Sequence, residues 1–411
     1  MALLAIAATL VAAAGAAQSP GDAIIVGKKN AQTPAELIAI DRNGTTTTLH
    51  TGTAKDVLFG MVEMAPGNRA ILFSEEPVPL FPSAIQRYEN AKVTSLWTGL
   101  DGLTDFDVDQ GGDLVAVIHQ GRRQSVLRRD SATGRVTTLG TRTTPGVSYA
   151  FGLEEDLRTG DWLVFTTTNE MLRLRSGGSM STVSIVLPVN AVNVRQGYVR
   201  TDFRDGSVLV AFGQGLIKVD PRTGAVTSLQ YSTASTHYNT GLDRDPYGFG
   251  YYFLDGKFPL ALTRYDPGLN VLVPLFPLAT RGYDVVSCGA RHLSGRVRPR
   301  VGKPYRIQAA FPGEAGRFYV AGASTGALGG FRLPDGRRVP LDPDPLFFLS
   351  LAPNPIFVSF QGVLDARGEA VLTVNIPNLP IAGLRLFVAA VTLDATGIRT
   401  LSLPLGVSVE K

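Results

Sequence analysis

At 411 residues with a formal net charge of +4, the chain is long enough for two domains with their own cores. Its basic residues occur as scattered pairs such as Arg122-Arg123 and Arg337-Arg338, apart from one cluster at 291–306. A surface that tracks nucleic-acid phosphates needs a broader basic field with stacking aromatics, so that class is excluded. A single cysteine, Cys288, rules out an intrachain disulfide and any cysteine-rich zinc or iron–sulfur site.

The chain opens with LLAIAATLVAAAGAA at 3–17, closed by Ala14-Gly15-Ala16 and a polar break from Gln18 to Gly21. This run is short for a bilayer span and fits an export signal at 1–17, although no Lys or Arg precedes it. The expected location is secreted, periplasmic or cell-surface, with no transmembrane segment in the mature chain.

From 22 onward a strand-turn unit returns about every 45 residues. Its clearest copy is LIKVDPRTGAVTSL at 216–229, and SVLRRDSATGRVTTL at 125–139 matches it closely. ELIAIDRNGTTTTL at 36–49, ALTRYDPGLNVLVPL at 261–275 and AIQRYENAKVTSL at 84–96 are looser copies. In the Asp-Pro-Arg-Thr-Gly turn the Asp side chain caps the turn, Pro221 presets φ and Gly224 can take a left-handed conformation. The glycines Gly67, Gly112, Gly160, Gly206 and Gly248 each precede an apolar strand, so the spacing predicts five complete four-strand units.

The chain ends predict a sixth. DAIIVGK at 22–28 reads as a second strand without a first, and YDVVSC at 283–288 as a first strand without followers. Pairing them would close a ring and remove the exposed sheet edges. The expectation is an all-β chain: a six-bladed β-propeller at 22–288 with one blade closed by both ends, a linker at 289–302, and a small β-sandwich domain at 303–411. Seven strands are expected in the sandwich, at 304–311, 316–324, 346–351, 356–362, 369–376, 384–393 and 401–409. The GALGG at 326–330 lacks a following Lys-Ser/Thr or helix and reads as a plain loop.

The D-x-x-T-G-x-V turns at 130–136 and 220–226, with the L-x-D-x-x-G strands before the anchor glycines, resemble the six-bladed propellers of the NHL, gluconolactonase-like and virginiamycin-lyase-like group. LDPDPLFFLSL at 341–351, GVLDARGEAVLTVNIPNLP at 362–380 and LRLFVAAVTLDATG at 384–397 resemble a C-terminal module of large secreted planctomycete and myxobacterial proteins. That second resemblance implies export and carries no assigned chemistry.

Four histidines exist, His50, His119, His237 and His292, and none sits at metal-ligand spacing. In a propeller the first strands line the central tunnel, which would gather Asp56, Asp105, Ser148, Tyr149, Asn239, Thr240, Asp243, Tyr283 and Asp284 near one mouth. Oxygen ligands converging on an axis suit a hard cation, so Ca²⁺ is the one cofactor considered, with Asp105, Asp243, Asp284 and Asn239 as its ligands. The bland alternative gives these side chains to solvation and backbone hydrogen bonds. The gluconolactonase-like ligand set does not map residue by residue, because Asp22-Ala23 stands where that family has a Glu. Two further surfaces stand out: a proline-held loop at 75–82, and an aromatic stretch at 247–252 that suits a sugar platform or an inner strand.

No activated nucleophile, base–orienter pair or dedicated metal motif is visible in the sequence. The reading is a secreted, non-catalytic, monomeric propeller protein that binds a protein or glycan partner, with the β-sandwich as a surface or assembly module. The alternative is a metal-dependent lactonase- or lyase-like enzyme working at the tunnel mouth.

Overall fold

The computed structural model describes residues 23–411 except for short stretches, the longest at 29–33, 53–56, 65–69, 78–82, 145–149, 186–197, 232–239, 245–250, 256–260 and 288–291. The expected export signal, Asp56, Ser148, Tyr149, His237, Asn239, Cys288, the loop tip at 78–82 and the start of the aromatic stretch at 247–250 lie outside the described residues. So do the side chains of Tyr252, Tyr283 and Asp284.

Strand pairing builds six four-stranded antiparallel sheets from the first two-thirds of the chain. Sheet I joins the two ends: Arg281–Ser287 pairs with Ala23–Lys28, which is followed by Glu36–Ile40 and Thr46–Thr51. Sheet II runs from Val57–Met64 to Lys92–Leu100, and sheet III from Leu103–Val108 to Val136–Thr143. Sheets IV, V and VI begin with Ala150–Glu155, Tyr198–Thr201 and Thr240–Arg244 and end with Met180–Ser184, Val226–Tyr231 and Val271–Pro277.

The turn chemistry explains why each unit folds locally. Asp130 accepts the N–H groups of Ala132 at 3.0 Å and Thr133 at 2.7 Å, while the Gly134 N–H reaches the Asp130 carbonyl. That last bond needs a left-handed residue, and Gly134 has φ +72°. Asp220 and Gly224 repeat the arrangement, with φ +74° at the glycine. Burial then stacks the sheets face to face. Leu72 and Ile85 of sheet II pack with Phe106 and Ala116 of sheet III, and Val115 and Val117 of sheet III pack with Leu153 and Val164 of sheet IV. Phe165 and Met171 continue the series onto Val199 and Val210, and Leu209 onto Leu242 and Tyr251. First strands also touch in a cycle, each on the next from sheet II to sheet VI, then sheet VI on sheet I and sheet I on sheet II. This is an almost all-β arrangement consistent with a propeller followed by a sandwich.

The remaining third forms two larger sheets and a two-stranded one, Phe331–Arg332 with Arg338–Val339. Sheet VII has the order Leu293–Gly295, Pro304–Ala310, Glu369–Asn375, Phe357–Val358. Sheet VIII has Gln361–Val363, Phe318–Ser324, Arg385–Asp394 and Gly397–Leu401, with Leu405–Ser408 also pairing Arg385–Asp394. Tyr305 and Ile307 of sheet VII meet Tyr319, Ala321 and Val388 of sheet VIII in one buried core.

Several sequence expectations are corrected in this part. The stretch at 346–351, expected as a strand, lies in helix α1, Pro345–Leu351. Asp344 caps it by accepting the Phe347 N–H at 2.8 Å, and Pro345 sits where a missing N–H costs nothing. A six-residue apolar run cannot distinguish strand from helix by periodicity, and the Asp-Pro cap was the deciding signal. The run expected at 356–362 splits between sheets VII and VIII, and 401–409 is replaced by Gly397–Leu401 and Leu405–Ser408. Leu293–Gly295 is a strand within the stretch read as a linker. The GALGG segment is a loop folded around Asp342, whose carboxylate accepts the Gly329 and Gly330 N–H groups.

Candidate functional site

Two polar constellations arise from the sheet stacking, one along the inner strands and one where sheets III and IV meet sheet VIII. The inner-strand group joins three sheets. Glu154 of sheet IV accepts the Thr201 N–H at 2.9 Å and the Arg244 guanidinium of sheet VI at 2.8 Å. Between them Arg200 of sheet V donates Nε–H to Asp243 at 3.0 Å, and its Nη1 lies 3.8 Å from Glu154. Glu154 and Asp243 are 4% and 3% exposed. Two carboxylates and two guanidiniums in a shielded place compensate one another, which is the condition for burying charge at all.

Of the residues expected to hold a metal, Asp105 accepts the Phe106 N–H at 2.8 Å with one oxygen and the Leu153 N–H of the next sheet at 2.6 Å with the other. Asp243 is engaged by Arg200 as described. Calcium needs several oxygens to replace its water shell, and a guanidinium bonded to one ligand opposes the ion's charge. Both oxygens of Asp105 and one of Asp243 thus already accept hydrogen bonds, and Arg200 places a positive charge beside Asp243. Among the described residues no three His, Cys, Asp or Glu side chains are grouped to hold a metal. Tyr251, from the aromatic stretch, is buried and donates its hydroxyl to the Thr201 carbonyl at 3.1 Å.

The second constellation begins with a clasp repeated in three sheets. Arg128 Nη2 lies 2.6 Å from both Asp109 and Asp113. Arg173 lies 3.1 Å from Asp156 and 3.3 Å from Asp161, and Lys218 lies 3.2 Å from Asp202 and 2.6 Å from Asp205. Each clasp ties the loop after a first strand to the third strand of its sheet. The sequence reasoning missed it, although the signal was present. Arg128 and Lys218 stand two residues before the signature Asp, and Arg87, Arg173 and Arg264 occupy the corresponding places in other copies.

These loops carry the contact with sheet VIII. Arg385 Nη2 donates to Glu155 at 2.8 Å, and Gly160, at φ +74°, leaves room for the same guanidinium. Leu328 packs on Gly206 in the next loop. A cavity of about 430 Å³ lies in this joint, with Asp109, Glu155, Trp162, Arg175, Arg385 and Val407 among its walls. Burial pushes the Glu155 carboxyl up to about 7 against the opposing pull of Arg385, and the Asp109 and Asp107 charges add to the rise. Burial also raises Asp109, with Arg128 acting against it.

No family model matches the chain, and comparison with curated proteins gave no match. Among solved structures it is similar to a chain of a nidogen/laminin complex, at 12% identity over 64% of this chain and 97% of that one, with a TM-score of 0.48. It is similar to TolB from Acinetobacter baumannii at 15% identity over 64% of this chain and 65% of that one, TM-score 0.47. The periplasmic gluconolactonase PpgL of Pseudomonas aeruginosa aligns with 95% of this chain and 96% of its own, at 12% identity and TM-score 0.44. The fold is accordingly read from strand order and packing.

Proposed function

We propose that the chain is an exported, non-catalytic binding protein in which sheets I to VI close as a six-bladed propeller at 22–288. A connector at 289–302 leads to a sandwich at 303–411 that meets a protein or glycan partner, and the molecule works as a monomer outside the cytoplasm. The cycle of first-strand contacts and the pairing of Ala23–Lys28 with Arg281–Ser287 support the ring.

The observation that carries a binding role is an apolar surface on the sandwich. Phe348 of α1 is 60% exposed, and its neighbour Leu349 and the strand residue Val358 are exposed as well. A groove of about 260 Å³ runs between α1 and the strand Phe357–Val358, floored by Phe357 and Phe360. Clustered apolar side chains on one face mark recognition surfaces more often than scattered ones do. The test is capture on a glycan array and from an envelope extract, comparing wild type with Phe348→Ser and Val358→Ser. Val136→Ser, exposed on sheet III, is the control. Retained capture by both the helix variant and the groove variant would refute the assignment.

In the metal-dependent alternative the ion would share Asp105 and Asp243 with the partners they already have. A calcium titration separates it from the binding reading.

A further inference from the structure

We propose that the cavity between sheets III and IV and sheet VIII binds a small organic carboxylate with an apolar body. The cavity walls carry four guanidiniums, from Arg128, Arg175, Arg298 and Arg385, against three carboxylates, from Asp109, Glu155 and Glu410. Arg128 is held by Asp109 and Asp113, Arg298 by Glu410 at 3.1 Å, and Arg385 by Glu155. Arg175 has no carboxylate partner among the described residues. With Asp113, which shares Arg128 from behind the lining, cations and carboxylates number four each, and Arg175 is the cation that none of them engages; a guanidinium's planar donor array suits a carboxylate.

Beside Thr159 and Ser408, the rest of the wall is mostly apolar. Leu139, Trp162, Leu174 and Val407 line it, and about 430 Å³ is the size of a small-molecule site. Inorganic phosphate would leave that apolar surface against water, whereas a short aliphatic acid would cover it. Glu155 already shows how a carboxylate docks on Arg385. It is itself the built-in competitor, since its carboxyl titrates at about 7 and, once protonated, releases charge on Arg385 for a ligand. The charged groups facing it are Arg385 from sheet VIII and Asp107 and Asp109 from the end of the first strand of sheet III. Ligand binding is therefore expected to strengthen as pH falls through neutrality.

The chain has two tryptophans, and Trp162 lines the cavity. In a Trp97→Phe background Trp162 reports on occupancy by fluorescence. The full mature chain would be titrated with hexanoate, 1-hexanol and inorganic phosphate at about pH 6 and about pH 8, on either side of the Glu155 titration. Hexanoate should give a saturable change, bind at least about tenfold more tightly than 1-hexanol or phosphate, and bind more tightly at the lower pH. Arg175→Gln, an exposed change that leaves the joint intact, should weaken hexanoate by about tenfold. Arg385→Gln should weaken it and flatten the pH dependence.

No saturable change with hexanoate up to about 10 mM would overturn the proposal. Equal binding of 1-hexanol would reduce the site to an apolar hole, and equal binding of phosphate to a general anion site; either overturns the carboxylate assignment. Unchanged affinity in Arg175→Gln would overturn it as well. Each outcome leaves the groove by α1, and the partner reading attached to it, untouched.

Discussion

Replacing Arg200 by Met would test whether the inner-strand network holds sheets IV, V and VI together. Arg200 bonds Asp243 at 3.0 Å and the Val199 carbonyl at 3.0 Å, and it lies 3.8 Å from Glu154. Met keeps the side chain's length and removes its charge, so Asp243, at 3% exposure, is left ionised with its guanidinium gone. Breaking one partner of a buried pair costs about 3–5 kcal/mol. For a unit of this size that corresponds to a fall in Tm of roughly 6–15 °C. The double variant Arg200→Met with Asp243→Leu removes both charges and should recover about 2 kcal/mol or more of the loss, the mark of a coupled pair. Scanning calorimetry on wild type, both singles and the double supplies the cycle. A single variant within about 2 °C of wild type, or a double no better than the sum of the singles, would show that the network is incidental.

Gly224→Ala should destabilise by about 2–4 kcal/mol, because φ is +74° and a Cβ would strike the Ser184 carbonyl oxygen of sheet IV. Gly121→Ala, at φ +65° in open space, should cost only about 1 kcal/mol, and equal effects in urea titrations would refute the contact argument. Asp344→Ala removes the cap of α1 and the acceptor of the Thr325 N–H, for a loss of about 1–2 kcal/mol by denaturant melt. Glu155, raised to about 7 in the folded chain, holds a proton there that the unfolded chain releases near the ordinary value of 4.5. Its contribution to stability therefore falls as pH rises from that value through about 7, and Glu155→Gln should flatten this part of the stability–pH curve. Millimolar calcium should leave the melting curve unchanged, and a calcium-dependent rise lost in Asp243→Asn would revive the metal reading.

The strands were legible because their causes are local. WLVFT at 162–166 alternates between two buried faces and follows a glycine at φ +74°, and it forms a strand with those bounds. The signature turns were legible for the same reason, since Asp130 bonds within three residues of itself. Helix α1 was misread because its apolar run is too short to show a period, while its cap lies in a single Asp-Pro pair. The inner network was invisible for a different reason. Glu154 meets Arg244 across 90 residues of sequence and Arg200 meets Asp243 across 43, so their pairing depends on how whole sheets are placed. Asp105 and Asp243 were singled out as carboxylates near an axis, yet the sequence held no sign that a backbone N–H of the next sheet and a neighbouring arginine would engage them.

The clasps and the joint have one physical logic. A loop after a first strand would be a soft place to dock a second unit, because its backbone bonds are few. In sheets III, IV and V each such loop is instead fixed by two aspartates on one cation, with its glycine N–H returned to the Asp carbonyl at 2.9, 2.7 and 2.7 Å. Arg385 and Leu328 land on these stiffened loops, at Gly160 and Gly206, where the absent Cβ lets them approach. Gly160 and Gly206 therefore serve twice, closing the turn within a sheet and opening a seat for Arg385 of sheet VIII and for Leu328. Asp105 sits toward the other end of its first strand, so a partner reaching the first strands from that side would not compete with these two side chains for the same loops.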